Sequence, residues 1–600
     1  MYALLASAPD PAAVELQLWT AEGSPAAPAK NMARASVAGA VRAIEQAHRP
    51  RWVWDRSQRW YPGLLAAGIR VERCHDLALS QAILLPSTFT ADTGYRQAAR
   101  VLPPEDLPPA PGTGSGQASL FDQPAKNPAW DLAAVSAELA AQQTAIAAST
   151  HPARLALLTT AESACALVAA EMQHEGIPWR TDLHSALLAD LLGAEPPDHA
   201  RPPKLEALAM ELRAALDAPG LNPDSPQDLM RALHRAGIDA KSTRSWELQE
   251  FKHPAIAPLL AYRKLSRLFT TNGWAWLEQW VRGGRFHSEY VVGGVVSGRW
   301  ASRGGGAMQI PKQIRGAAVA DPGHKLIVAD AAQLEPRVLA ALAQDSAMAA
   351  AGRDKDLYAG IAAQGFGGER AMAKVALLGA IYGSTSGESG RLMPQLTRMY
   401  PQAVGFVEEA ARAGERGEQV STHLGRSTPP VSEQWRASQR SSTADEQRRA
   451  ESAARSRGRF TRNFVVQGTA AEWACCWLAE LRRRLRALVP GEGAPPSDGG
   501  VPVTEDGLAL MPDAGAPASP DGTGDGGAGT AAGGTRKTGR PELVFFLHDE
   551  VMVHCPDALV EAVTEMVHES SRAATRLLFG PIPLEFPVNV TVVESYADAK

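Results

Sequence analysis

Two strand-like runs constrain most strongly what this chain can fold into, and each delivers an aspartate to a strand end. The first is HKLIVAD, His324 to Asp330. The second, ELVFFLHDEVMVHC from Glu542 to Cys555, has apolar runs on either side of a polar tip and predicts a β-hairpin with Asp549 at its turn. A carboxylate so placed faces solvent while its strand is locked into a sheet. Two such aspartates from neighbouring strands could hold two Mg²⁺ ions about 4 Å apart, the arrangement used for in-line phosphoryl displacement. Mg²⁺ prefers hard oxygen ligands and keeps several waters, so two carboxylates plus substrate phosphates suffice. Taken singly, a strand-end aspartate is more often a turn cap.

A helix between the two runs adds independent evidence. In ERAMAKVALLGAIYGS, residues Arg370, Lys374, Leu378 and Tyr382 step by four and share one face. That face presents two cations, then an apolar residue, then an aromatic. A nucleoside triphosphate has the same order, charged phosphates at one end and a flat apolar base at the other. Cations snorkelling beside a core stripe would give the same spacing.

With 600 residues the chain is roughly three to four domains long. A hydrophobic fraction of 45% with 21% charged residues excludes wholesale disorder. Sixty basic against 65 acidic residues leave a net charge of −5, so any nucleic-acid contact must come from local clusters. The five cysteines form no CxxC pair and read as reduced thiols, not a disulfide framework or a zinc site. No apolar stretch comes near the roughly 18 residues that span a bilayer, and MYALLASAPD lacks the features of a signal peptide. The expectation is a cytoplasmic protein without a membrane partner. Pro- and Gly-rich residues 102–128 read as a linker, and residues 491–540, almost without large apolar side chains, as an insertion that cannot offset its chain entropy.

The motifs together carry a family resemblance over roughly residues 150–600. DAAQLEPRVLAALAQD (Asp330 to Asp345), RAMAKVALLGAIYG (Arg370 to Gly383) and LHDEVMVHCP (Leu547 to Pro556) resemble motifs A, B and C of family A DNA polymerases, the bacterial DNA polymerase I type. NFVVQGTAAEW (Asn463 to Trp473), SGRW (Ser297 to Trp300) and MQIP (Met308 to Pro311) resemble three further segments of that family, in the same order. The resemblance implies an α/β and α+β multidomain fold: a right-hand polymerase of palm, fingers and thumb, preceded by a ribonuclease H-like exonuclease-type domain. On it, residues 1–101 are a degenerate 3′–5′ exonuclease-like domain and 129–290 the helical connector and thumb. Residues 291–345 are palm with motif A, 346–430 fingers with motif B, and 431–600 palm with motif C.

Carried over by position, the resemblance implies a template-directed DNA polymerase, working in replication or repair, that adds dNTPs to a primer 3′-hydroxyl. Asp330 and Asp549 would bind two Mg²⁺ ions, with Glu550 the neighbouring acid. Arg370 and Lys374 would hold the triphosphate, Lys374 also acting as general acid to pyrophosphate. Gln333, Leu378 and Tyr382 would line the nucleotide site, Glu335 would be the steric gate against a 2′-hydroxyl, and His548 would contact the primer terminus. Arg299, Arg459, Asn463 and Gln467 would contact primer, template or the minor-groove edge of the new pair, where acceptors sit alike in every Watson–Crick pair. The chain departs from the family at Ala331, Pro336, Leu378 and Gln309, which puts nucleotide selectivity and fidelity in question but removes no metal ligand.

Before the linker, the proofreading carboxylates are missing. LWTAEG (Leu18 to Gly23) stands where DxE is expected, and Trp60 or Tyr61 where the central Asp is expected. No 3′–5′ exonuclease activity is expected, and no region is left for a 5′-nuclease. In the linker, Gln117, Leu120 and Phe121 of QASLF resemble the bacterial sliding-clamp pentapeptide, making the clamp a candidate partner of an otherwise monomeric, nucleoid-associated enzyme. Eight arginines against four acids between Val431 and Arg462 would suit phosphates, although a solvated mixed-charge helix is the simpler explanation read alone. Two rival functions are a single-subunit RNA polymerase, which Glu335 opposes, and a non-catalytic clamp- and DNA-bound scaffold, which the intact Asp330, Asp549, Arg370 and Lys374 oppose.

Overall fold

The structure, a computed structural model, describes residues 1–99, 130–197, 200–303, 310–353, 356–383, 387–440, 443–488 and 539–599. The linker with Gln117, Leu120 and Phe121, the Met308–Gln309 pair, and the insertion up to residue 538 lie outside them.

Strand alternation builds the N-terminal unit. Its five-stranded sheet runs in the order Lys30–Ala33, Ala13–Trp19, Tyr2–Ser7, Arg51–Trp54, Arg73–Asp76. The first three strands pair antiparallel and the last two add in parallel. In Tyr2–Ser7, Leu4 and Ala6 pack beneath helix Leu132–Ala148, while Ala3 and Leu5 join Trp52, Trp54 and Tyr61 on the opposite face. LWTAEG ends the second strand and enters its turn, and the central first strand carries no carboxylate. Trp60 and Tyr61 are buried on helix Ser57–Ala66. Asp55 and Asp76 do sit at the ends of the two parallel strands, but in structural roles. Asp55 accepts from the Trp60 indole at 2.9 Å, and Asp76 caps helix Leu77–Leu84.

The second sheet is antiparallel, in the order Glu542–Leu547, Glu550–Pro556, His324–Ala331, Val588–Val593. The hairpin expected around Asp549 is therefore present, and it lies directly beside the strand that ends near Asp330. Among the described residues, five helices between Ser346 and Glu415 follow the strand that ends near Asp330. Helices Pro203–Ala215, Pro226–Arg235 and Ile256–Asn272 pack around a small core of Leu212, Leu229, Leu233 and Leu259.

Two long helices join these parts. Pro152–Glu175 is long and apolar enough to cross a membrane, which corrects the expectation that no stretch is. It is instead the central strut: Leu155, Leu158, Leu167 and Val168 are buried in the fold, and its interior glutamates are ion-paired. The other, Ala444–Ala487, has 44 residues and starts with a capping box between Thr443 and Glu446. Its first half packs on helix Pro401–Glu415, so the boundary drawn from sequence at residue 430 cuts across one packed unit. Of the arginine strip, Arg462 is buried against Glu408 and Arg457 donates to the Pro429 carbonyl at 2.8 Å. Those two guanidiniums serve packing, unlike the exposed Arg448, Arg449, Arg455 and Arg459.

Buried charge locks the parts together. Arg482, near the C-terminal end of the long helix, grips Glu171 of the strut through Nε–Oε2 at 2.9 Å and Nη2–Oε1 at 2.8 Å. It also donates to the carbonyls of Val71 and Glu72 in the N-terminal unit, at 2.7 and 2.8 Å. The Tyr61 hydroxyl donates to Glu171 at 2.5 Å. Burial raises the Glu171 carboxyl, but Arg482 and Arg70 outweigh it and hold it well below the usual carboxylate range. A second knot pairs Glu162 of the strut with Arg426 at 2.9 Å, beside Glu472, which accepts from the Thr422 hydroxyl and from the Leu424 amide at 3.0 Å. Burial pushes Glu472 up to about 7.

Glu171→Ala leaves Arg482 charged and unpaired in the interior. We expect a loss of about 3–5 kcal/mol, read as a lowered thermal midpoint, with the N-terminal unit the first to become protease-sensitive. For Glu472 the native state binds the proton more tightly than the unfolded chain, so this residue's contribution falls as pH rises from 4.5 towards about 7. Denaturation midpoints of parent and Glu472→Gln should therefore diverge across that window, the variant gaining relative to the parent. Parallel curves would contradict the assignment.

Candidate active site

Asp330 and Asp549 are brought together by strand register. Asp330 pairs with Glu550 across the sheet, and the next residue along, Ala331, donates its amide to the Asp549 carbonyl at 2.9 Å. The hairpin turn is tight because His548 takes a left-handed φ of 58°, which throws Asp549 to the sheet's upper rim. Both aspartates are partly exposed there. Glu550 differs: it is 4% exposed, and its Oε1 accepts the Tyr596 hydroxyl at 2.6 Å. It reads as a fixed neighbour that keeps the strand in register. Among the described residues no group of three or more His, Cys, Asp or Glu side chains is arranged to hold a metal. The available donors are thus two hard carboxylates, a set that suits Mg²⁺ when substrate phosphates complete its shell.

Above them lies a cavity of about 260 Å³. Asp549, His548, Arg299, Gln333, Glu335, Leu378 and Tyr382, seven residues singled out from sequence, all line it. Glu335 is its centre. Its carboxylate pairs with Arg299 on one side and accepts the Tyr382 hydroxyl at 2.7 Å on the other. Burial raises the Tyr382 hydroxyl's pKa, and the bond to Glu335 adds to this, so it remains a donor. Burial, reinforced by the Arg299 charge, depresses His548 below its usual value and favours the neutral ring.

Helix Arg370–Tyr382 turns its four-step face toward this side. Arg370, Lys374 and Tyr382 are exposed and Leu378 half-buried, while Ala373, Ala376, Leu377 and Ala380 pack inward. Along the long helix, Arg459, Asn463 and Gln467 also step by four, and the same row continues to Ala471 and Cys475 in the cavity wall. The Gln467 amide oxygen accepts from Ser297 at 3.0 Å, and Asn463 Oδ1 is buried with no hydrogen-bond partner among the described residues. Gly468 is required by close approach, since a Cβ there would strike Thr422 and come within 3.1 Å of the Ser297 carbonyl.

The family departures have local explanations. Pro336 occupies the first turn of helix Leu334–Ala343, where no intrahelical amide donor is lost. Ala331 closes its strand with little side-chain demand. Leu378 leaves Tyr358, Trp300 and Phe546 as further aromatic lining alongside Tyr382.

Sequence reasoning missed three contributors. Arg337 is fully buried and donates to the carbonyls of Ala332, Gly352 and Glu585 at 3.2, 2.9 and 2.8 Å, fixing the helix that carries Glu335. Arg426 packs under Gly298, where a Cβ would lie 2.5 Å from its Nε, and so supports the loop that aims Arg299. Asp356 binds Arg370 Nε at 2.6 Å. The aspartate opening a helix at DLYAG was the one available cue.

Comparison with known proteins accords with this geometry. The family model for DNA polymerase family A matches residues 202–490, which contain motifs A and B but stop short of the motif C hairpin. DNA polymerase I of Chloroflexus aurantiacus is 31% identical over 262 residues, 39% of this chain and 26% of that protein. The thermostable DNA polymerase I of Thermus filiformis is 27% identical over 281 residues, 41% of this chain and 32% of that protein. The match thus spans well under two thirds of either relative. Among solved structures, the POL domain of Pol1 from M. smegmatis, in complex with DNA primer–template and dNTP, superposes with a TM-score of 0.64. At 18% identity over 98% of this chain and 93% of that one, this is a likeness of fold. In its matched residues, the order of its motifs and its fold, the chain is similar to DNA polymerase family A.

Proposed function

We propose that this protein is a template-directed DNA polymerase that extends a primer 3′-hydroxyl with dNTPs, in replication or repair. One observation carries the reading: strand register sets Asp330 beside the hairpin of Asp549, and Asp549 lines a cavity around Glu335 that Leu378 and Tyr382, from the helix bearing Arg370 and Lys374, also line.

The chain's own residues supply positioning and charge. Arg370 and Lys374 hold the triphosphate, and Lys374 delivers a proton to the departing pyrophosphate oxygen. Glu335, kept rigid by Arg299 and Tyr382, fills the space a 2′-hydroxyl would need. Neutral His548 orients the primer terminus beside Asp549. Leu378 and Tyr382 pack against the nucleotide, and Gln333 fixes the nearby turn. Arg299, Arg459, Asn463 and Gln467 follow the duplex edge, a role consistent with the unpartnered Asn463 oxygen. Asp330 and Asp549, with Glu550 behind them, would hold two divalent ions, Mg²⁺ by ligand type; such ions lower the pKa of a bound hydroxyl and neutralise charge on transferring phosphates. Water exclusion and orientation by the cavity provide the rest.

The same proposal includes primer–template DNA and dNTPs as partners, the sliding clamp through Gln117, Leu120 and Phe121, a monomeric state and a cytoplasmic, nucleoid-associated location. It also includes the absence of 3′–5′ exonuclease activity. Support for that comes from the carboxylate-free first strand and from the structural employment of Asp55 and Asp76.

Primer extension on a labelled duplex tests the reading. The parent should incorporate dNTPs, and Asp549→Ala should lose at least about 10³-fold, the several kcal/mol that charge stabilisation supplies. Glu335→Ala should raise rNTP use relative to dNTP. Neither protein should shorten the primer without dNTPs. Intact duplex binding with no extension by the parent would overturn the proposal.

A further inference from the structure

Arg370 is not waiting with an open guanidinium. Its Nε binds Asp356 Oδ2 at 2.6 Å, and its guanidinium carbon lies 5.4 Å from the centre of the Tyr358 ring. Asp356 is held in turn by Gln333, whose Nε2 donates to Asp356 Oδ1 at 3.1 Å. The Gln333 Oε1 accepts the Leu357 amide at 2.8 Å. Gln333 directly follows the motif A strand's end region and takes a left-handed φ of 53°, a conformation a glutamine adopts only where its surroundings fix it. A continuous chain of contacts, Gln333–Asp356–Arg370, therefore ties the sheet end that bears Asp330 to the first residue of the cationic helix.

We infer that Asp356 is a positioning residue that occupies Arg370 in place of a nucleotide's triphosphate, releasing it when the triphosphate arrives, with Tyr358 the surface on which the guanidinium turns. This rests on the nucleotide-binding role proposed for Arg370. The Asp356 carboxylate offers Arg370 the oxygen acceptors and negative charge that a phosphate offers. The pair is weak enough to yield: the two side chains are 51% and 37% exposed, so solvent screens their attraction. A triphosphate carries more charge and would win the exchange. Tyr358 lines the same cavity as Glu335 and Leu378 and is only 6% exposed, so the ring stays in place while its cation changes partner. Gln333 senses the exchange, because it shares Asp356 and stands beside the gate-bearing helix.

The sign of the effect separates this role from a structural one. Removing a competitor should tighten substrate binding, whereas removing a structural support should weaken it. Asp356 also caps helix Leu357–Gly365 through the Ala359 amide at 3.1 Å, so Asp356→Asn and Asp356→Ser keep the cap while removing the charge. The experiment measures dNTP affinity of the enzyme on a dideoxy-terminated primer–template, with thermal midpoints as a folding control. Asp356→Asn and Asp356→Ser should bind dNTP about two- to five-fold more tightly than the parent, the range for releasing a partly exposed pair. In running extension KM should fall without a rise in kcat. In the Arg370→Ala background the same substitutions should have no effect, since coupled residues lose their interaction together. Equal or weaker binding by both folded variants, with the parent binding normally, overturns the exchange and leaves the polymerase reading standing. No dNTP binding by the parent overturns the nucleotide site itself, and the exchange with it.

Discussion

The pairing of Arg482 with Glu171 is the constraint on which the assembly depends. One guanidinium reaches three parts of the chain: the strut, the carbonyls just before the N-terminal unit's last strand and, through its own backbone, the helix that forms the wall of the site. Such a charge is costly to bury, and it is tolerated because its donors meet either a carboxylate or a carbonyl. That requirement explains why an apolar helix of membrane-spanning length carries glutamates in its interior. Glu162 and Glu171 make Pro152–Glu175 intelligible only inside a protein. The N-terminal unit, with no carboxylate on its first strand, keeps a structural reason to exist as a partner of this pair.

The site is organised around a different carboxylate. Glu335 receives Arg299 from the loop between strands Tyr290–Val291 and Ala301–Ser302 and Tyr382 from the end of the cationic helix, so three segments distant in sequence converge on two oxygens. Its own helix is fixed by Arg337, which donates to three carbonyls. The result is a hole of limited volume whose polar rim is rigid and whose opposite side is a helix held by an exposed, exchangeable ion pair. On the proposed nucleotide reading, rigidity sits where a sugar would be measured and weakness where a phosphate would enter.

Much of this was legible in the sequence because the signals were local. The run KLIVAD, the hairpin around His548–Asp549 and the four-step row from Arg370 to Tyr382 state their own periodicity and place their own chemistry. What stayed hidden depends on pairs far apart. Nothing near Arg426 marks it as the support of Gly298, and nothing near Gln333 shows that its amide would face Asp356. Arg457 and Arg462 looked like their exposed neighbours until helix Pro401–Glu415 covered them. Hydropathy misled for the strut, since an average over a window cannot tell a lipid-facing helix from one surrounded by protein. The interrupting glutamates were the better guide. Glu550 stood in sequence beside a metal-binding candidate, and only register revealed that its oxygen belongs to Tyr596.

The long helix has a mechanical consequence. At 44 residues it is a rod of about 66 Å, taking 1.5 Å per residue, and it is gripped near its C-terminal end, at Arg482, by Glu171 and near its middle, at Arg462, by Glu408. The row from Asn463 to Cys475 lies between those grips. Pivoting a rod of this length by ~2° about its middle displaces each end by ~1 Å, comparable to the margin that separates a good contact from a poor one. The two clamps therefore act as trunnions. They set the attitude of the site's wall, so the N-terminal unit, through the carbonyls that hold Arg482, bears on a cavity that none of its described residues lines.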